Sequence, residues 1–95
     1  MWSKRDERII RTYISKMKAP HMGLSKERFE TELYSQWAIL EAVTYLRGRR
    51  DTIQALEEFI HKMDEYSCVN KKTSYIFSIA KTAAEDLLDA LISGK

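Results

Sequence analysis

Residues 24–63 read LSKERFETELYSQWAILEAVTYLRGRRDTIQALEEFIHKM, and the spacing of apolar side chains in this stretch decides the fold class. Phe29, Leu33, Trp37, Leu40 and Val43 recur every three or four residues, which is the repeat of one face of an α-helix. Ser25 is placed as the N-cap of that helix, with Leu24 and Phe29 at the spacing of a hydrophobic staple. Gly48 is placed to supply the left-handed residue that ends it after Arg47. Ala38, Ile39, Ala42 and Leu46 carry apolar character around most of its second half, so that half is expected to be more buried than the first or to face a partner chain. Asp51 then opens a second helix, and Gln54, three residues on, completes a capping box. Ile53, Leu56, Phe59, Ile60 and Met63 fall on its core side, while Glu57, Glu58, His61, Asp64 and Glu65 form an acidic outer face.

The same pattern extends in both directions. Upstream, Ser3 is a suitable N-cap, and Ile9, Ile10, Tyr13, Ile14 and Met17 share one side of a helix whose other side carries Lys4, Arg8, Arg11, Ser15 and Lys18. Pro20 and Gly23 are expected to end it. Downstream, a polar loop from Ser67 to Lys72 leads to a helix capped by Thr73 or Asn70. Its face of Ile76, Phe77, Ala80, Ala83, Ala84, Leu87, Leu88 and Leu91 includes alanines that permit close helix approach, and Gly94 ends it. The expected architecture is all-α, a single domain over 1–95: a compact antiparallel bundle of four helices at about 3–18, 25–47, 51–66 and 73–92.

Composition agrees. A chain of 95 residues has room for one compact core. With 44% apolar and 32% charged residues it is too apolar for disorder, and one proline with three glycines is too few for an all-β fold. The uncharged stretch from Leu33 to Leu40 is far short of the ~20 apolar residues that a membrane span requires. Residues 1–11 mix charges of both signs and do not resemble a secretory signal. A lone cysteine, Cys68, cannot form an internal disulfide, which points to a reducing, cytoplasmic setting and to a small, partly buried side chain.

The net charge of +2 hides a segregation. Residues 1–28 carry eight basic against three acidic side chains, whereas residues 29–46 contain Glu30, Glu32 and Glu41 and no lysine or arginine. Arg47, Arg49 and Arg50 stand at the junction before the acidic third helix. Two binding readings follow. In the first, Tyr34 and Tyr45 lie with Glu30 and Glu41 on the side of the second helix opposite much of its apolar stripe and, with Glu57, Glu58 and Glu65, form a docking surface for another protein. The competing account of the two tyrosines is that a further helix of the same bundle covers them. Self-association into a homodimer is a further way to use the broad apolar arc of the second helix. In the second reading, Arg5, Arg8, Arg11, Lys18, Arg47, Arg49 and Arg50 track a phosphate backbone, an arrangement that arginines flanking a helix C-terminus equally explain by complementing its dipole.

Chemistry is poorly represented. His21, His61 and Cys68 are the only soft ligands, and their spacing fits no zinc motif, so neither metal nor cofactor is expected. His61 among carboxylates reads as an ordinary surface histidine. Carboxylates one turn apart, such as Glu85 with Asp89, arise on any charged helix face, and no enzymatic activity is expected from them. The expected function is that of a small non-enzymatic interaction or regulatory module, an adaptor or inhibitor, acting through charged helix faces.

Overall fold

The computed structural model describes residues 2–20 and 22–94. It contains four helices: α1 (Lys4–Ser15), α2 (Lys26–Leu46), α3 (Thr52–Val69) and α4 (Ser74–Ser93). Three of the N-termini form as their sequences dictate. The Ser3 hydroxyl accepts from the Asp6 amide at 3.1 Å, Ser25 from Arg28 at 3.3 Å and the Asp51 carboxylate from Gln54 at 3.0 Å. Each satisfies an amide that the helix itself leaves unpaired, worth about 1 kcal/mol per cap.

Local chemistry moves two boundaries. Helix α1 stops at Ser15 rather than Lys18: the Met17 amide reaches back only to the Ile14 carbonyl, at 3.1 Å, tightening the last turn. The Gln36 side-chain amide then donates to the Lys18 carbonyl, holding the strap before Pro20 against α2. Helix α3 continues through Ser67, Cys68 and Val69, residues expected in the loop, so that only Asn70–Thr73 make the connection. There the Asn70 side chain accepts from the Lys72 amide at 2.9 Å, organising the turn rather than capping α4, and Thr73 flanks α4 without a side-chain cap. Cys68 is an exposed free thiol, not the partly buried side chain expected of it.

Gly48 is left-handed as expected, with φ +78°. It occupies the third position of a type II turn: Arg47 before it sits at φ −60°, ψ 132°, and the Arg49 amide donates to Leu46 at 3.2 Å. Gly94, at φ +77°, closes α4 and donates to the Ala90 carbonyl at 2.9 Å.

The chain runs up and down. Trp2 Nε1 donates to the Leu46 carbonyl at 3.2 Å while Lys18 meets Gln36, so α1 and α2 are antiparallel. Asp64 with Lys81, and Tyr66 with Phe77, set α3 antiparallel to α4. Helices α2 and α4 run in the same sense, Tyr34 meeting Tyr75 and Trp37 meeting Phe77, and nevertheless pack extensively. Small residues make this closeness available: Ala38, Ala42, Ala80 and Ala84 are all completely buried. Helices α1 and α3 lie on either side of this pair. The largest fully buried side chains, Ile10, Leu46, Leu56, Leu87 and Leu91, come from all four helices and converge in one core. Burial of each is worth about 1.5–3 kcal/mol, opposed by the entropy of ordering the chain.

The core side of α2 differs from the expected stripe. Val43 is buried, but Leu33, Trp37 and Leu40 are 42%, 37% and 50% exposed, and the buried arc is Ala38, Ile39, Ala42, Val43 and Leu46. Once α4 has approached over the alanines, the larger residues on the other arc are left facing outward. No helix among the described residues is long and apolar enough to cross a membrane.

Candidate functional site

Four of the side chains expected to bind a partner come together on the outer face of α3. Tyr45, Glu57, Glu58 and Glu65 line one depression with Gln54, His61 and Lys62. Tyr45 projects from the last turn of α2 and is held from several directions. Its ring meets Phe59 with centroids 5.9 Å apart, its hydroxyl donates to Glu58 Oε2 at 3.1 Å, and the Arg49 guanidinium and Lys62 ammonium lie 3.8 Å and 4.7 Å from its ring centroid. Cations over an aromatic face are attracted by its quadrupole, and Arg49 also donates to the Tyr45 carbonyl, bracing the α2 terminus. His61 Nε2 lies 2.9 Å from Glu65 Oε1, one turn along α3, and the carboxylates that share its depression all belong to its own helix. The site is therefore a rigid aromatic ring set in a carboxylate-bearing helix face.

Tyr34 and Glu30 form a separate cluster nearer the start of α2. The Tyr34 ring is edge-on to Tyr75 of α4, with centroids 6.2 Å apart and an interplanar angle of 78°. Partial desolvation, the Glu30 carboxylate and Tyr34 together hold the Tyr75 phenol above its ordinary pKa. Glu41 is exposed on α2 between the two clusters. Both tyrosines are thus covered in part by neighbouring helices of the bundle; Glu41, Glu57, Glu58 and Glu65 are exposed, and Glu30 is partly covered.

The basic residues divide. Arg5 donates to the Leu91 carbonyl and lies against Gly94, closing the end of α4. Arg11 pairs with Glu7 at 2.7 Å, and Arg49 is engaged on Tyr45. Arg8, Lys18, Arg47 and Arg50 are exposed, with no side-chain ion pair among the described residues. A cleft lined by Trp2, Glu7, Arg47 and Gly48 brings the arginine junction alongside the start of α1.

Two features are absent from the sequence reading. A groove of about 480 Å³ between α1, α2 and α4 is lined by hydroxyls, including Tyr13, Thr31, Ser35 and Ser78, over an apolar floor of Met17 and Ile39. At its rim the Tyr13 hydroxyl donates to the Asp86 carbonyl at 3.1 Å, and burial, with Asp86 and Asp89 nearby, raises its pKa. The second feature is an aromatic row on the outer surface: Trp37 meets Phe77 at 6.4 Å and Phe77 meets Tyr66 at 5.4 Å. The paired rings stand 40 and 11 positions apart in sequence and on different helices, so no local pattern signals such a row. Among the described residues no three His, Cys, Asp or Glu side chains are grouped to hold a metal ion; His21 lies outside the described residues. The chain matches no model of a known protein family, no curated protein and no solved structure.

Proposed function

We propose that the protein is a non-enzymatic interaction module, an adaptor or inhibitor working in the cytoplasm, that binds a positively charged surface of another protein. The observation that carries this reading is Tyr45, fixed by Phe59, Arg49 and Glu58 at the base of the face that presents Glu57, Glu58 and Glu65. A preorganised aromatic ring contributes contact area at low entropic cost, and surrounding carboxylates steer and select a basic partner. An arginine-rich segment, or the nucleic-acid-binding surface of another protein, has the matching chemistry. The nucleic-acid reading is less favoured because Arg5, Arg11 and Arg49 are engaged within the fold.

The test is differential capture from the native cell. Immobilised full chain is compared with a Glu57→Gln, Glu58→Gln, Glu65→Gln variant whose far-UV circular dichroism is unchanged. A protein retained by the native chain, released by raised salt and lost on the variant supports the reading. Identical retention by both columns rejects it.

A further inference from the structure

The apolar row on α2 stays exposed after the four helices have packed. Leu33, Trp37 and Leu40 occupy successive turns, spanning ~10 Å of helix on the side away from the core. Trp37 continues through Phe77 to Tyr66, itself 48% exposed, so the row crosses from α2 over the start of α4 to the end of α3. The rings already hold tilted, edge-on geometries, so a partner need not order them. Spacing of three and four residues along a rigid helix is the pattern that an amphipathic helix of a partner meets with its own apolar face.

Charge selects the occupant. Along one edge of this row Glu41 is exposed and makes no ion pair among the described residues, and the partly exposed Glu30, near Tyr75 of α4, pairs only with Lys26, at 4.0 Å. Antiparallel two-fold pairing of the row with a second copy about Trp37 would place Glu30 of one chain within about one helical turn of Glu41 of the other on the same edge, like charge near like. A helix with lysine or arginine flanking its apolar stripe meets the same edge with opposite charge. We propose that Leu33, Trp37, Leu40 and Tyr66 form the seat for a basic amphipathic helix of a partner protein, with Glu30 and Glu41 setting its register. This rests on the reading of the protein as an interaction module and adds the apolar half of the partner's chemistry to it.

The experiment titrates the full chain with a synthetic lysine–leucine peptide of amphipathic helical pattern and with a scrambled peptide of the same composition. Trp37 is the reporter, and its emission should shift to the blue as the row is covered. Trp2, the other tryptophan, is tied to Leu46 at the C-terminal end of α2, whereas Trp37 lies at its middle, so a Trp37→Phe control identifies the signal. The patterned peptide is expected to bind about tenfold or more tightly than the scrambled one, and Leu33→Ser with Tyr66→Ser is expected to remove that preference. Equal binding of both peptides, lost on the Glu57→Gln, Glu58→Gln, Glu65→Gln variant, overturns the helix seat and leaves the charged-face reading standing. No binding of either peptide overturns both. If sedimentation shows the free protein associating as Trp37 emission shifts blue with its concentration, the occupant is a second copy and the basic-helix assignment is wrong.

Discussion

Leu40→Ala and Leu46→Ala make the same chemical change in the same helix, and the structure assigns them very different costs. Leu46 is completely buried in the core, and Leu40 is 50% exposed. Truncating a fully buried leucine costs about 2–5 kcal/mol, through lost transfer energy and the cavity left behind. For Leu40, half the side chain already faces water, no enclosed cavity forms, and alanine is the better helix former. Its loss is therefore about 1 kcal/mol or less, from half of the roughly 1.5–3 kcal/mol that complete burial contributes. In a domain of this size each kcal/mol shifts Tm by about 4–8 °C, so Leu46→Ala should melt at least ~8 °C lower, whereas Leu40→Ala should fall by no more than about 4–8 °C. Urea unfolding followed by far-UV circular dichroism gives the free energies, and thermal melting supplies an independent check. Equal losses for the two variants, or a larger loss for Leu40→Ala, would refute the placement of α2 and restore the stripe read from sequence as its core face. The same result would remove the exposed row on which the proposed helix seat depends.

Two further outcomes follow from the backbone and from titration. At Gly48, φ is +78° and an added Cβ would meet nothing within 4 Å, so Gly48→Ala isolates backbone strain; it should cost about 1–2 kcal/mol by urea unfolding, and a neutral effect would contradict the type II turn. Tyr75 and Lys81 have pKa values raised above their ordinary 10.0 and 10.5, Tyr75 first by desolvation and Lys81 first by its hydrogen bond to Asp64. A group with a raised folded pKa contributes stability fully below its unfolded pKa and loses it as pH climbs through the folded value. The advantage of the native protein over Lys81→Met should thus shrink above about pH 10.5, and Tyr75→Phe should gain on the native protein above about pH 10. Urea midpoints that keep a constant difference from neutral pH through this window would contradict both shifts.

The legible parts of the fold are those determined within a few residues. Ser3, Ser25 and Asp51 cap their helices because an N-cap needs only a short oxygen-bearing side chain and the amide three residues on. Gly48 and Gly94 were readable because both positions require a left-handed backbone. The α3–α4 connection was less so: Ser67, Cys68 and Val69 look loop-like, yet nothing in them stops a helix, and the turn waits for Asn70, whose side chain bonds the Lys72 amide. The face of α2 could not be read from periodicity alone. Its second half offers two apolar arcs, and a hydrophobic pattern gives more weight to leucine and tryptophan than to alanine. Packing weighs them differently, because Ala38 and Ala42 let α4 approach and thereby decide which arc is buried.

The same competition explains how the candidate site was only half visible. The carboxylates of α3 were legible because an amphipathic helix must put Glu57, Glu58 and Glu65 outward, whichever neighbours it has. Tyr45 joined them for a reason outside its own helix, since Phe59, Glu58 and Lys62 all come from α3. Tyr34, on nearly the same side of α2, went instead to Tyr75 at the start of α4. Eleven residues, or ~16 Å along the helix, separate the two tyrosines, enough for a helical wheel to place them together while the bundle gives each a different neighbour. The surface between them carries Glu41 and the Trp37 row. A partner that spans α2 from Leu33 toward Tyr45 would therefore meet apolar contact first and carboxylates at its edge. This order separates the two proposals experimentally: neutralising the α3 carboxylates should mainly slow association and reduce its salt dependence, whereas Leu33→Ser with Tyr66→Ser should mainly speed dissociation.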